Sequence, residues 1–313
     1  MKPVLLVLNL QLPAHLEQMA QSFPDFEVVY APEAGQAEAA IAAHGARVHC
    51  VCTIGATGLS AAQMRRMPAL RLACAMGAGY ENIDVAYARE RGIAVGNGAG
   101  TNDECVADHA MGLLIAAVRG IVKLDKATRA GVWRSALPLP PNVSGKRLGI
   151  VGLGAIGAKI ARRAAAFDME IGYHNRKPRE GAGYRYFGDV LSLAAWADML
   201  LVATPGGAGT RHLVNAEVLD ALGEKGFLVN IARGSVVDTA ALAAAVRAGR
   251  VAGAGLDVYE SEPAPPTELL ELDAVVLTPH VGGWSPEAVQ NSVDRFIANM
   301  RNHLDGKPLV SPV

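Results

Sequence analysis

Short apolar runs, separated by stretches of helical periodicity, dominate the pattern of this chain. Val4–Leu8, Glu27–Tyr30, Val48–Thr53, Arg71–Ala75 and Ile93–Val95 have the length and apolarity of buried strands. Between them, Ala14–Gln21, Ala37–His44, Ala61–Met67 and Val85–Arg91 gather apolar residues on one helical face. A long helical run then extends from about Asn102 to Ala130 and stops at Gly131. Residues 135–144 carry Pro138, Pro140 and Pro141, which cannot continue a helix, so this stretch reads as a connector or lid. The alternation resumes with strands at Arg147–Val151, Met169–Tyr173, Met199–Ala203, Phe227–Asn230, Gly253–Leu256 and Val275–Leu277. A final helix, Pro286–Leu304, has an apolar face that can pack on either half.

Strands alternating with helices predict an α/β chain of two doubly wound parallel-sheet, Rossmann-like domains with a cleft between them. Residues 1–98 with 286–313 are expected to form a flavodoxin-like, substrate-binding domain, and residues 99–285 a dinucleotide-binding one. A length of 313 residues, half of them hydrophobic, suffices for two cores. The formal charge of −1 gives no support for nucleic acid or an anionic membrane as a partner.

No apolar run reaches the roughly 18 residues of a membrane helix. Met111–Val122 is short and carries Arg119, so it reads as a buried helix. The opening residues, Met1 to Leu8, resemble a signal-peptide core but lack a small-residue cleavage site and read better as a first strand. Cys50, Cys52, Cys74 and Cys105 have no metal-ligand spacing, and three of them sit in apolar runs, as core thiols do. A cytoplasmic setting is expected.

Chemistry enters at Gly152-Leu-Gly-Ala-Ile-Gly157. Gly-x-Gly-x-x-Gly alone is a weak signal in a chain with 34 glycines, but here a strand feeds it and a helix leaves it. The first glycine suits the tight turn, the second lets a pyrophosphate approach the backbone, and the third allows close helix–strand packing. Gly152, Gly154, Ala155, Ile156 and Gly157 are therefore candidate cofactor contacts, with a methyl-donor site as the rival use of such a loop. The next strand is followed by Asn175, where a cofactor with a free ribose 2′-hydroxyl calls for a carboxylate, and then by Arg176, Lys177 and Arg179. An amide with nearby cations suits a 2′-phosphate, so NADP(H) is preferred and NAD(H) remains possible.

Three charged groups each follow an apolar run: Arg233 in Asn-Ile-Ala-Arg-Gly-Ser, Glu262 in Asp-Val-Tyr-Glu-Ser-Glu-Pro, and His280 in Thr-Pro-His-Val-Gly-Gly. Each alone reads as an ordinary loop residue. Together, at the C-terminal ends of successive strands, they suit reduction of a 2-keto acid. Arg233 can orient the carboxylate and polarise the carbonyl, His280 can protonate the forming alkoxide, and Glu262 can hold the imidazole protonated and oriented.

These motifs resemble the D-isomer-specific 2-hydroxyacid dehydrogenases, in the glyoxylate/hydroxypyruvate reductase branch. The likeness is densest over residues 149–283: the glycine loop, Ala203-Thr-Pro-Gly206, Asn230 to Asp238, Ala254 to Pro263 and Thr278-Pro-His280. It implies an NAD(P)-dependent enzyme with Arg233, Glu262 and His280 as its catalytic residues, turning glyoxylate or hydroxypyruvate into glycolate or D-glycerate. It also implies that Asp257 lies near the nicotinamide carboxamide, and that Ala203, Thr204, Pro205, Ile231, Ala232, Arg233, His280 and Gly282 lie along the cofactor. In the N-terminal domain, Met76-Gly-Ala-Gly-Tyr80 resembles the loop whose amides hold the substrate carboxylate. Ala78 and Gly79 are then substrate contacts beside Arg233 and His280, with Leu59 facing the side-chain pocket. Gly100-Thr-Asn-Asp103 replaces a proline-rich turn common in the family. Trp133 and Arg134 fall where relatives reach towards a second subunit, implying a homodimer. A broader D-2-hydroxyacid dehydrogenase and a cofactor-sensing corepressor-like protein are the alternatives.

Overall fold

Strands buried on both faces need apolar residues at every position, and Val4–Val7, Leu72–Ala75 and Met199–Val202 meet that demand without a polar side chain. The computed structural model describes residues 1–313 and divides into two compact units, Met1–Asn102 with Trp284–Val313, and Asp103–Gly283. The borders lie a few residues from 98/99 and 285/286 because the segment before Asp103 is bonded back into its own unit. Arg295 donates to Ala99 O (2.9 Å), Asn291 donates to Thr101 O (3.3 Å), and the Thr101 and Ser292 hydroxyls meet at 2.9 Å.

The N-terminal unit comprises β1 (Val4–Val7), α1 (Pro13–Ser22), β2 (Glu27–Tyr30), α2 (Ala34–His44), β3 (Val48–Thr53), α3 (Ala61–Arg65), β4 (Leu72–Ala75), α4 (Val85–Glu90) and β5 (Ala94–Gly96). Its strands form one parallel sheet in the order β2-β1-β3-β4-β5. Alternation along β1 sends Val4 and Leu6 to a layer shared with Ile41, Met64 and Ala88, and Leu5 and Val7 to the opposite layer. The buried thiols of Cys50, Cys52 and Cys74 lie in that second layer, where burial pushes Cys50 up to about 12 and leaves it an inert core group.

The C-terminal unit comprises α5 (Asp103–Val118), α6 (Ile121–Arg129), β6 (Arg147–Val151), α7 (Ala155–Ala165), β7 (Glu170–His174), β8 (Arg185–Phe187), α8 (Val190–Trp196), β9 (Met199–Val202), α9 (Ala216–Leu222), β10 (Phe227–Asn230), α10 (Thr239–Arg247), β11 (Gly253–Leu256) and β12 (Val275–Leu277). Its seven strands are parallel in the order β12-β11-β10-β9-β6-β7-β8, which reverses direction between β6 and β9. That reversal is the switch point at which open α/β sheets bind ligands. Helices α5 and α7 cover one face and α8, α9 and α10 the other. The last helix, α11 (Pro286–Leu304), returns to the N-terminal unit, packing Val293, Phe296, Ile297 and Met300 against β1, β3 and β4.

Two expectations need correction. The helical run over 102–130 is two helices meeting at 58°, because Gly120 adopts a left-handed conformation (φ 61°) that stops α5 and starts α6. Strand β8 has only three residues and no apolar run, so it forms through edge pairing with β7 rather than through any pattern of its own. No single helix is long and apolar enough to cross a membrane. Leu114 is fully buried between α5 and the sheet. Leu114→Ala is expected to lower unfolding stability by about 2–5 kcal/mol, read from urea titration of the full chain.

Candidate active site

Strand β6 ends in a turn that only glycine makes cheaply. Gly152 has φ 104°, and a Cβ there would lie 2.7 Å from Ala203 O and 2.8 Å from Thr204 N at the end of β9. Gly157 lets α7 press onto the loop, since a Cβ there would meet Gly152 O at 2.2 Å. Gly154, by contrast, has open space beside it and caps α7 with no side-chain bond. The first-turn amides of Ala155, Ile156 and Gly157 are thus left for an anion, and an open backbone at the second glycine fits a pyrophosphate.

The turn after β7 grips this loop. Asn175 Oδ1 accepts from Leu153 N (2.7 Å), and Arg179 Nη1 donates to Leu153 O (3.1 Å) and Gly154 O (3.2 Å). Arg179 therefore serves the loop's shape, while Arg176 and Lys177 stand exposed.

Arg233 follows β10 on a turn folded by Asn230, a 1 % exposed residue at the strand end. Asn230 Oδ1 accepts from Ala232 N (3.0 Å) and its Nδ2 donates to Arg233 O (3.1 Å). Arg233 Nη1 donates to Ala232 O (2.6 Å), and a Cβ on Gly206 would meet Arg233 Cγ at 2.8 Å. The arginine stem thus lies along the Thr204-Pro205-Gly206 loop. A Cβ on Gly234 would lie 1.9 Å from Tyr259 C, so the Arg233 loop sits directly on the loop that carries Glu262.

His280 and Glu262 are joined. His280 Nδ1 lies 2.8 Å from Glu262 Oε2, and Glu262 Oε1 accepts from Tyr259 N (2.7 Å). A carboxylate partner requires the proton on Nδ1, which leaves Nε2 as the group for a substrate. The Glu262 hydrogen bond raises the His280 pKa against the opposing effects of burial and of Arg233. Burial acts to raise Glu262, but the bonds from His280 and the Tyr259 amide, with the Arg233 charge, outweigh it and hold the carboxyl below its usual range.

His280 has φ 54°, a left-handed conformation that costs a non-glycine residue about 1–3 kcal/mol. Its amide bonds to Asp257 O (2.8 Å) and Thr278 O (3.0 Å) secure it. Asp257, expected beside the nicotinamide carboxamide, is 2 % exposed and its oxygens are already engaged. Oδ1 accepts from Thr278 Oγ1 (2.6 Å) and Val281 N (2.9 Å), and Oδ2 accepts from Gly282 N (2.8 Å). Burial acts to raise Asp257, yet bonds from His109, Thr278 and the two amides prevail and keep it ionised. Its side chain holds the His280 loop in place. Gly282 is likewise committed: its amide is taken, and a Cβ would meet Asp257 Oδ2 at 2.8 Å.

Other expected contacts fall out differently. Ala203 and Thr204 are half-buried at the end of β9 and Pro205 is exposed. Ile231 and Ala232 are largely buried, in the two opposite layers of the sheet. Leu59 does not face a pocket in its unit, because it is fully buried in the layer with Ile83 and Met64. Ala78 and Gly79 are half-exposed on the loop after β4.

The D-isomer-specific 2-hydroxyacid dehydrogenase NAD-binding domain matches residues 111–282, more than half of the chain. The chain belongs to the D-isomer-specific 2-hydroxyacid dehydrogenase family. This dehydrogenase is 42 % identical to hydroxyphenylpyruvate reductase of Plectranthus scutellarioides, over 82 % of each chain. It is 40 % identical to glyoxylate/hydroxypyruvate reductase A of Arabidopsis thaliana, over 86 % of this chain and 87 % of that one. The NADPH-dependent glyoxylate/hydroxypyruvate reductase of Sinorhizobium meliloti, solved with NADP and malonate, superposes with a TM-score of 0.91. That likeness has 38 % identity and covers 100 % of this chain and 97 % of that one. The enzyme is accordingly an NAD(P)-dependent oxidoreductase with two parallel-sheet domains.

Four residues of the site, Asn230, Thr278, His109 and Tyr259, were given no role by the sequence. Asn230 shapes the Arg233 turn. Thr278 donates its one proton to Asp257, and so accepts from His109 Nε2 at 2.9 Å. Tyr259 donates to Thr278 O (2.6 Å) and stays a donor because burial pushes its hydroxyl up to about 12. Only Asn230 left a sequence signal, as a polar residue closing an apolar strand.

If His280 is the proton donor in reduction, the rate should fall as pH rises through its elevated pKa. Glu262→Gln removes the main cause of the elevation. The fall should begin at lower pH in this variant, while cofactor affinity is kept; kcat/KM measured across about pH 5 to 9 checks this.

Proposed function

We propose that this dehydrogenase is an NADPH-preferring reductase of small 2-keto acids, taking glyoxylate to glycolate and hydroxypyruvate to D-glycerate. The observation that carries the reading is the His280–Glu262 pair at 2.8 Å, on a loop tied by Asp257 and packed by Gly234 against the Arg233 turn. Arg233 orients the substrate anion and draws electron density towards the carbonyl oxygen. His280 Nε2 gives its proton to that oxygen as negative charge develops, and Glu262 stabilises the imidazolium before transfer. A bound nicotinamide supplies the hydride to the carbonyl carbon. The amides of Ala78 and Gly79 take the substrate carboxylate.

The Asn175 amide in place of a carboxylate, with exposed Arg176 and Lys177 beside it, supports the 2′-phosphorylated cofactor. Initial rates with glyoxylate and hydroxypyruvate should be several-fold faster with NADPH than with NADH. Arg176→Ala with Lys177→Ala should narrow that preference. Equal rates with both cofactors in the native enzyme would remove the preference but not the chemistry. His280→Ala and Arg233→Ala should each lose on the order of a hundredfold or more in kcat/KM while cofactor binding persists. Near-normal turnover in both would sink the assignment. The identity with hydroxyphenylpyruvate reductase favours a second reading, activity on larger keto acids, so the substrate panel includes 4-hydroxyphenylpyruvate.

A homodimer completes this reading. Ile121 and Val122 on α6, and Trp133 (71 % exposed) and Leu139 beyond it, are large apolar side chains left in solvent, which supports a second copy of the chain as partner. Light scattering on the native chain should give twice the 32.6 kDa chain mass, and Trp133→Asp should shift it towards monomer. The free thiols accord with a reducing, cytoplasmic compartment.

A further inference from the structure

The loop after β4 is anchored by its carbonyls. Gly77 O accepts from Gly98 N (2.8 Å), and Ala78 O accepts from Asn97 Nδ2 (2.8 Å). Both anchors come from the segment that follows β5. The approach is close enough that a Cβ on Gly98 would lie 2.0 Å from Met76 O. Neither peptide is cis, and in a trans peptide the C=O and the N–H of one unit point in opposite directions. Capture of Gly77 O therefore turns Ala78 N–H away from this segment, and capture of Ala78 O does the same to Gly79 N–H. Neither amide donates to another group of the protein, and both residues are half-exposed.

Asn97 is held so that it cannot easily do otherwise. It is 8 % exposed and all its polar groups are used. Its N donates to Ser311 O (3.1 Å), its O accepts from Ser311 Oγ (2.5 Å), and its Oδ1 accepts from Ala99 N (3.2 Å). Ser311 is fixed in turn by Asn299 on α11, whose Oδ1 accepts from Val310 N (2.8 Å) and Ser311 N (3.2 Å). Only a side chain with one acceptor and one donor fits between Ala99 N and Ala78 O, which an amide supplies and a carboxylate does not.

We propose that Asn97 is a positioning residue for substrate: by holding Ala78 O it keeps the amides of Ala78 and Gly79 aimed together as a binding site for a carboxylate. The chain Asn299–Ser311–Asn97–Ala78 then couples the C-terminal tail to the geometry of that anion site. Successive backbone amides with their carbonyls turned away form a recognised anion-binding arrangement. The inference deepens the proposed 2-keto acid reading and rests on it for the identity of the anion.

The test is Asn97→Asp, nearly isosteric but without the donor, with Asn97→Ala as the second variant should the first fail to fold. Melting temperature and NADPH binding report folding. In folded variants KM for glyoxylate should rise on the order of tenfold or more, with kcat and NADPH affinity within about threefold of native. Affinity for oxalate, an unreactive anion, should weaken in parallel. Unchanged KM and oxalate affinity would overturn the proposal. So would an equal loss in kcat, NADPH affinity and KM, the mark of a merely structural role. If the native enzyme reduces no keto acid, the functional reading fails, while oxalate binding to native and Asn97→Asp chains still decides whether Asn97 orients an anion site.

Discussion

A carboxylate withdrawn from water persists only where donors surround it, and Asp257 gathers its donors from one short segment. The Thr278 hydroxyl and the amides of Val281 and Gly282 all point at it, and the backbone of His280 bonds to its carbonyl. These bonds bend the chain around Asp257 and force His280 into a left-handed conformation that few non-glycine residues adopt. The imidazole thereby meets Glu262 at hydrogen-bonding distance. Removing the Asp257 charge would leave these donors aimed at nothing and release the strain at His280. The His280 imidazole is thus placed by a buried carboxylate rather than by its own loop alone.

The same logic of backbone capture recurs at the other loops. Asn230 folds the Arg233 turn through two backbone bonds, Asn175 and Arg179 fix the glycine loop, and Asn97 anchors the loop after β4. In each case a polar side chain at or just past a strand end satisfies backbone groups that the parallel sheet leaves unpaired. Parallel strands end in loops rather than hairpins, so their C-terminal edge offers turns that side chains can shape. Glycines set how closely these turns approach: Gly234 against Tyr259, Gly206 against Arg233, Gly282 against Asp257.

Much of the architecture was legible in the sequence because both determinants are local. Apolar runs such as Met199–Val202 mark doubly covered strands, and Gly152, Gly154 and Gly157 mark a strand-to-helix turn. The clustering of Arg233, Glu262 and His280 was legible for a related reason, since charged residues directly after apolar strands lie at the C-terminal edge of the sheet. Strand β8 and the break at Gly120 were not, because an edge pairing and a helix bend depend on neighbours that the local pattern does not contain. Leu59, Ile231 and Ala232 look like any residues near a site, and only packing showed them enclosed in the cores.

The sequence by itself determined the alternation of elements, the glycine loop, the basic turn after β7 and the identity of the arginine, glutamate and histidine. These rest on periodicity and on residue chemistry, which act over a few neighbours. Tertiary structure decided what Asp257, Asn230, Asn97, Thr278 and Tyr259 do, because each bonds to backbone brought close by the sheet and not by the chain. It also decided that Asp257 holds the His280 loop. A buried carboxylate and an exposed one are the same letter in a sequence, and only the donors around Asp257, arriving from residues 278–282 and from His109, distinguish them.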